Sequence, residues 1–321
     1  MKVGFGVIGA NSFVANAAVL PAIDAASNTT LVATASRSSD VPERWASTDT
    51  GSYEAVLGHP DVEAVYIPLP NGMHREWTEK AAAAGKHVLV EKPMASDSAT
   101  ARAMASTCAD AGVILAEAWM TPFGRRYASA LDVARSGQVG DVTHIDSRFT
   151  FTIGPGHEDN YRWDPDQGGG ALLDVGIYCL GPVVDLYDSH PDEADARMVR
   201  TTRGPDSRLV ARLAWADGRR AAIACSFIDD EAQTLTMTGA DGIISVDREA
   251  FTGGADQPTF DVDVAGRPSQ SITLSEANDP YRSMVEAFAR AVRGEGEWPR
   301  PVERSIEMLQ LIERIKDAAR D

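Results

Sequence analysis

The sequence is short of the features that mark secreted, metal-binding or nucleic-acid-binding chains. It holds three cysteines in 321 residues, Cys108, Cys179 and Cys225. An odd, widely spaced set gives neither a disulfide framework nor a zinc spacing, so these read as packed thiols in a reducing compartment. Basic residues are also few, with 30 Lys and Arg against 47 Asp and Glu and a net charge of −17. That balance repels phosphate backbones and anionic leaflets, and neither nucleic acid nor a membrane is expected as a partner. No apolar stretch reads as the ~20 residues that span a bilayer. The start, Met1 to Ala10, has one lysine ahead of an apolar run, but the run is too short and Gly-rich for a secretion signal. A cytoplasmic location is expected. Metal-ligand clusters, internal repeats and low-complexity segments are absent as well, so no metal is predicted. What is present, 44% hydrophobic and 24% charged residues, is ordinary globular composition with length for roughly two domains. The default ligand is a small molecule.

Val3 to Ile8 reads as a buried strand running into Gly9-Ala10-Asn11-Ser12-Phe13-Val14-Ala15 and then an Ala-rich helix to about Ala26. A strand, a tight turn and a helix N-terminus can hold phosphate, because unpaired amides and the helix dipole face the anion. The dinucleotide spacing G-x-G-x-x-G is altered here: Asn11 stands at the second glycine and Ala15 closes the turn one residue late. The turn therefore reads either as a cofactor site or as an ordinary strand–helix connection. A second strand, Leu31 to Ala35, ends in Ser36-Arg37-Ser38. An arginine among small hydroxyl residues suits a ribose 2′-phosphate, which favours NADP(H), while Asp40 keeps NAD(H) open.

Further strands are read at Ala64 to Leu69, His87 to Val90 and Val113 to Ala116, with helices from His74 through Ala84 and from Ser96 to Ala111. Alternating strands and helices predict a Rossmann-like, doubly wound parallel sheet over residues 1–120, with ligands at the carboxyl ends of the strands. Lys92, between Glu91 and Pro93, lies at such an end. Thr121 to Ser136 reads as a helix opening a second domain, 121–321. There the pattern turns to strands: Val142 to Phe151, Leu209 to Trp215, Arg220 to Phe227, Gln233 to Thr238 and Ile243 to Val246. These predict an α+β domain with an open, mainly antiparallel sheet, closed by helices at Pro280 to Val292 and Pro301 to Ala319. The last helix is a candidate to pack back on the first domain. One face of the sheet lacks cover from this chain, so a homodimer or homotetramer through it is expected.

The densest chemistry lies in Asn160 to Tyr178, where Gly168-Gly169-Gly170 precedes an apolar helix. Asp174 and Tyr178 stand four apart, on one helical face. A phenol can move a proton to or from a substrate oxygen, but its ordinary pKa near ~10 requires a neighbouring cation. Lys92 is the candidate. Arg162 either closes a pocket over the cofactor or serves in a salt bridge, and Trp163 and Trp119 either pack or line the substrate. His59, His144, His157 and His190 carry no assigned role, and Asp185, Tyr187 and Asp188 read as a structural continuation of the helix.

Glu91-Lys92-Pro93, then Glu117-Ala118-Trp119-Met120, then the Gly-triplet helix ending Asp174-Val175-Gly176-Ile177-Tyr178, in this order after a Rossmann-like start, resemble the Gfo/Idh/MocA family. The likeness is closest to its branch of dimeric dihydrodiol dehydrogenases, NADP-dependent xylose dehydrogenases and sugar ketoreductases. That branch favours N-x-R-x-[DSN]-P-x-x-G-G-G-[AS]-x-x-D-x-G-x-Y, which Asn160 to Tyr178 fits throughout. The resemblance implies an NAD(P)-dependent dehydrogenase or reductase acting on CH–OH groups of a sugar-like substrate. It implies that Lys92 and Tyr178 form the proton-transfer pair and that Asp174 orients the substrate. It also implies that Asn71, His74 and Glu91 lie along the nicotinamide, with Pro68 and Leu69 beside it, and that Lys92-Pro93 is a cis peptide. Phe123 and Asn160, with Trp119 and Trp163, are expected at the substrate.

The chain departs from the branch after Met120, where Thr121-Pro122-Phe123-Gly124 replaces the frequent Tyr-Arg-x-His-Pro, so a basic pocket residue is missing and the substrate is expected to differ. Three rival readings stand beside the sugar oxidoreductase. A non-catalytic NADP-binding sensor would keep the cofactor turn and lose Lys92 and Tyr178, the reverse of what is seen. An NAD-assisted glycoside hydrolase or lyase would hold its cofactor without net turnover. A trans-dihydrodiol dehydrogenase would use Trp119, Phe123 and Trp163 as an apolar pocket for aromatic diols.

Overall fold

The computed structural model describes residues 1–37, 42–157, 159–252, 259–274 and 278–320. Ser38 and Asp40 lie outside them. The chain forms two compact units, Met1–Met120 with Asp279–Ile306, and Thr121–Asn278 with Glu307–Asp321.

In the first unit, β1 (Val3–Ile8), α1 (Leu20–Ala25), β2 (Thr29–Ala35), α2 (Tyr53–Gly58), β3 (Ala64–Ile67), α3 (His74–Ala83), β4 (His87–Glu91), α4 (Ser98–Asp110) and β5 (Leu115–Ala118) alternate as expected. The five strands pair in parallel in the order β2-β1-β3-β4-β5. β1 is buried at all six positions, as a strand covered on both faces must be. The order runs outward from β1 in both directions, so the topological switch falls between β1 and β3 and opens a crevice at their carboxyl ends. The fifth strand is Leu115–Ala118 rather than Val113 to Ala116, because its register is set by pairing with β4, Val90 to Glu117 and Glu91 to Ala118. Glu117 is thereby drawn inside a buried strand.

In the second unit, the expected helix from Thr121 divides into a 3₁₀ turn, Thr121–Phe123, and α5 (Arg125–Arg135), with Gly124 extended between them. β6 (Val142–Thr152), α6 (Ile177–Leu186), β7 (Glu193–Arg200), β8 (Asp206–Ala214), β9 (Arg220–Ser226), β10 (Ile228–Gly239), β11 (Gly242–Val246), β12 (Thr259–Val264) and β13 (Gln270–Thr273) follow. α7 (Pro280–Val292), α8 (Val302–Ala318) and β14 (Ala319–Arg320) complete the chain. The sheet has nine strands in the order β13-β12-β11-β10-β6-β9-β8-β7-β14. It is mixed, with β6–β9 and β14–β7 parallel and the other pairs antiparallel. β7, β13 and β14 carry no strong sequence signal and are strands by pairing, whereas β12, which the sequence reading passed over, alternates buried Phe260 and Val262 with Asp261 and Asp263. α6 packs on β6 and β9, and Ser147 of β6 donates its hydroxyl to the Cys179 carbonyl at 2.7 Å.

Two further differences follow from packing. Pro165–Leu186 is long and apolar enough to cross a membrane, contrary to the sequence expectation, but 83% of that window is buried inside the protein. It is the core helix of the second unit, and its apolarity serves the sheet. The segment 279–306 belongs with the first unit, whereas the sequence reading gave 121–321 to the second domain with only its last helix as a candidate to pack back on the first. The Phe288 ring meets Phe5 edge-on at 6.0 Å, and Arg293 pairs with Glu63 at 2.6 Å, so α7 is cover for the first sheet.

Candidate active site

At the end of β1 the backbone turns through Gly9, whose φ of +97° is one that side chains resist. A Cβ there would also stand 2.7 Å from the Leu69 Cδ2 atom. The Gly9 and Ala10 amides both donate to the Ala35 carbonyl, at 2.9 and 3.0 Å, which ties the turn to the end of β2. Ser12 accepts from the Ala15 amide through its hydroxyl at 3.1 Å, and the Asn16 side chain donates to the Ala10 and Ser12 carbonyls. Phe13 and Val14 begin the helix, where the first amides lack intrahelical acceptors and can meet an anion. Phe13 is 89% exposed. The helix continues as a π segment, Ala15–Val19, before α1. Arg37, beyond β2 and after half-buried Ser36, is exposed, and its charge reaches Tyr53. An anion-receptive helix start, a glycine in close approach and a solvent-facing arginine fit a phosphorylated dinucleotide.

Across the switch point, β3 passes through Pro68 and Leu69 into a 3₁₀ turn at buried Asn71 and then α3. His74 is fully buried, with Nδ1 at 3.0 Å from the Pro93 carbonyl and Nε2 at 2.7 Å from that of Leu69. Burial pushes its pKa down against the carbonyls that favour the charged form, so near neutral pH the ring has one N–H for two acceptors. Glu91 accepts from the Tyr66 hydroxyl at 2.6 Å and from the Lys92 amide at 3.1 Å. Burial raises Glu91 to about 7, against the Tyr66 hydrogen bond and the Lys92 charge. Lys92 follows, half-buried, and its peptide bond to Pro93 is cis. Glu117 accepts from the Met94 amide at 2.7 Å and from the Ser305 hydroxyl at 2.6 Å. Trp119 is fully buried, with the Arg300 guanidinium 4.2 Å over its ring.

In the second unit each glycine of the triplet answers a different demand. Gly168 is left-handed at φ +71°, a Cβ on Gly169 would lie 2.5 Å from the Arg162 carbonyl oxygen, and Gly170 takes φ +119°. The Gly169 and Gly170 amides donate back to the Asp164 and Arg162 carbonyls at 2.9 and 3.0 Å. Asn160 accepts from the Arg162 amide at 3.1 Å, so its side chain caps the Tyr161–Trp163 turn. Buried Asp206 of β8 accepts from the Leu172 amide at 2.8 Å and anchors the helix start. The helix opens as a π segment, Leu172–Gly176, which contains Asp174, and Tyr178 stands in the first turn of α6. The π segment makes their spacing differ from that of a regular helix, yet both are buried, at 6% and 7% exposure.

Arg162 donates from Nε to Asp174 Oδ2 at 2.6 Å. Burial alone would lower the Arg162 pKa, but Asp174, with Tyr161 and Tyr178, outweighs it and the net shift is upward. The guanidinium is therefore close enough to sense both the acid and the phenol. The Tyr178 ring packs 5.2 Å from Phe149 and 6.2 Å from Phe251, while Trp163 meets Phe227 edge-on at 5.5 Å. Thr121 donates its hydroxyl to the Phe251 carbonyl at 2.9 Å, and the Phe123 carbonyl accepts from Asn278 at 2.7 Å.

Sequence reasoning missed Asn16, Tyr66, Phe149, Asp206 and Phe251, and it left Glu117 without a role. For Glu117 the one available signal was a carboxylate directly after a predicted strand, which the register then drew inside it. The others are ordinary strand or helix residues until the fold aims them.

The family described as an oxidoreductase family with an NAD-binding Rossmann fold matches residues 3–118, and the GFO/IDH/MocA C-terminal domain matches 127–245. The chain thus belongs to the Gfo/Idh/MocA family of nicotinamide-dependent oxidoreductases. It is 34% identical to D-xylose 1-dehydrogenase (NADP(+)) 2 of Haloferax volcanii, over 98% of this chain and 97% of that protein. It is 33% identical to dTDP-3,4-didehydro-2,6-dideoxy-alpha-D-glucose 3-reductase of Streptomyces violaceoruber, over 87% and 82%. The crystal structure of KijD10, a 3-ketoreductase from Actinomadura kijaniata in complex with NADP and TDP-benzene, superposes with a TM-score of 0.90 at 28% identity, over 100% and 99%.

Proposed function

We propose that this chain is an NADP(H)-dependent oxidoreductase that moves a hydride between nicotinamide C4 and a carbonyl or secondary alcohol carbon of a sugar-like substrate. The observation that carries the reading is the grouping of Tyr178, Asp174 and Arg162 at the start of one buried helix: a phenol, a carboxylate and the guanidinium that holds it. The cofactor supplies the hydride chemistry. Gly9 to Val14 receive its pyrophosphate, Ser36, Arg37 and Ser38 its 2′-phosphate, and Pro68, Leu69, Asn71, Glu91 and Trp119 its nicotinamide half. Xylose dehydrogenase is named for NADP(+) and KijD10 was crystallised with NADP, which supports NADP(H) over NAD(H).

Tyr178 gives or takes the proton at the reacting oxygen, and the Lys92 ammonium lowers the cost of the phenolate. Asp174, fixed by Arg162, holds a neighbouring hydroxyl, and Phe123, Asn160 and Trp163 shape the substrate side. The Phe149 and Phe251 rings around Tyr178 favour, as a second reading, a trans-dihydrodiol of an aromatic ring. On the outward face of the nine-stranded sheet, small residues of β9 and β10, Ala222, Ala224, Thr234, Thr236 and Thr238, alternate with His144, Asp146 and Arg148 of β6 and Val210 and Arg212 of β8, a mixed surface we assign to a second copy of the chain.

The test is nicotinamide absorbance with NADP+ and NADPH over pentoses, hexoses, ketosugars, inositols and dihydrodiols, with Tyr178→Phe and Lys92→Met alongside. Turnover on a sugar-like substrate that falls at least ~100-fold in both variants supports the reading, since general acid–base groups contribute about that much. Full turnover by both variants on the best substrate would end it. Turnover confined to dihydrodiols would select the second reading.

A further inference from the structure

Three consecutive residues after β4 are each held by a buried side chain at a backbone group. The Lys92 amide donates to Glu91 Oε2 at 3.1 Å, and Oε1 of the same carboxylate is fixed by the Tyr66 hydroxyl at 2.6 Å. The Pro93 carbonyl lies 3.0 Å from Nδ1 of His74. The Met94 amide donates to Glu117 Oε1 at 2.7 Å, and Ser305 fixes Oε2 at 2.6 Å. Tyr66, His74, Glu91, Glu117 and Ser305 are all buried, and they come from β3, α3, β4, β5 and α8. Two buried carboxylates so close together are unfavourable for folding alone, since Glu117 and Glu91 repel. Spending them on the backbone beside one lysine makes sense if that lysine must stand still.

We propose that Glu117 is a positioning residue for Lys92: with Ser305 behind it, it fixes the Met94 amide and so the direction in which the Lys92 side chain leaves β4. The proposal rests on the reading above that Lys92 lowers the Tyr178 phenol. Glu91 and His74 also feel the Lys92 charge, and both titrate at or below about neutral pH, so the readout is the alkaline limb of the rate profile for reduction, where Tyr178 must hold its proton. A lysine that wanders stabilises the phenolate less, and that limb moves up.

The experiment compares Glu117→Gln, Glu117→Met and Ser305→Ala in the full chain, with NADPH binding by fluorescence and thermal melting as controls on folding. Glutamine keeps an oxygen for the Met94 amide and an N–H for Ser305, so Glu117→Gln is expected to hold kcat within about 3-fold with the limb unmoved. Glu117→Met is expected to lower kcat at least ~30-fold, to raise the limb by about one pH unit and to leave NADPH affinity within about 3-fold. If Glu117→Met does not fold, Ser305→Ala decides, with an expected ~3- to 10-fold loss and the same direction of limb shift. Folded Glu117→Met with unchanged kcat and limb would overturn the proposal, and so would Glu117→Gln losing as much as Glu117→Met. Failure of the underlying reading looks different: Lys92→Met itself would keep full turnover.

Discussion

Arg162 and Asp174 are joined by a 2.6 Å hydrogen bond across twelve residues of chain that include all three glycines of the triplet. The bond closes the Gly-rich turn onto the helix that carries Tyr178. The two side chains are 27% and 8% exposed, so the pair is largely out of water, and removing the cation takes a charge-assisted hydrogen bond from a buried carboxylate. Arg162→Ala should cost about 2–3 kcal/mol in urea unfolding and lower kcat/KM by more than that loss explains. Arg162→Lys, with one donor direction in place of a planar fork, should recover stability better than activity. Equal losses in the two measurements would reduce the pair to scaffolding.

The glycines separate backbone demand from crowding. Gly170 takes φ +119°, and a Cβ there would lie 2.3 Å from Asp206 Oδ1, the carboxylate that caps the helix start. Gly170→Ala should therefore destabilise by about 1–3 kcal/mol or more. Gly168, left-handed at φ +71° and half-buried, should accept asparagine for less than ~1 kcal/mol. Thermal melts of both variants check this ordering.

Glu91 gives stability a pH dependence of defined sign. Burial holds its folded pKa at about 7 against an ordinary 4.5, so between these values the folded state binds the extra proton. Stability should fall as pH rises from about 4.5 to about 7, by on the order of 3 kcal/mol from this group alone. Urea midpoints across that range should show the decline in the parent chain and a smaller one in Glu91→Gln. An unchanged slope in the variant would assign the effect elsewhere.

Arg37 is the exposed cation beyond β2. Arg37→Ala should weaken NADPH binding by about 10-fold or more while changing NADH by less than ~3-fold, because only the former carries a 2′-phosphate to lose. Fluorescence titration with each dinucleotide decides it, and equal losses would remove the argument for NADP(H).

The alternation of short apolar strands with helices was legible because a strand covered on both faces has to be apolar throughout, as β1 is. The Gly triplet, Asp174 and Tyr178 were legible because few residue types satisfy a left-handed turn followed by a buried acid and phenol. Asp206, Phe149 and Phe251 were not, since each looks like any strand or loop residue until pairing aims it.

The sequence by itself therefore determined the fold class and the turns that need glycine, and it supplied the reactive groups proposed above, because these depend on local sterics and side-chain chemistry. Tertiary structure alone decided which partner each group has. Arg162 became the clamp on Asp174, Glu117 turned to the Met94 amide, and the 279–306 segment joined the first unit. Those choices depend on strand register and on which carboxylates are driven out of water, and neither is written in any short stretch of chain.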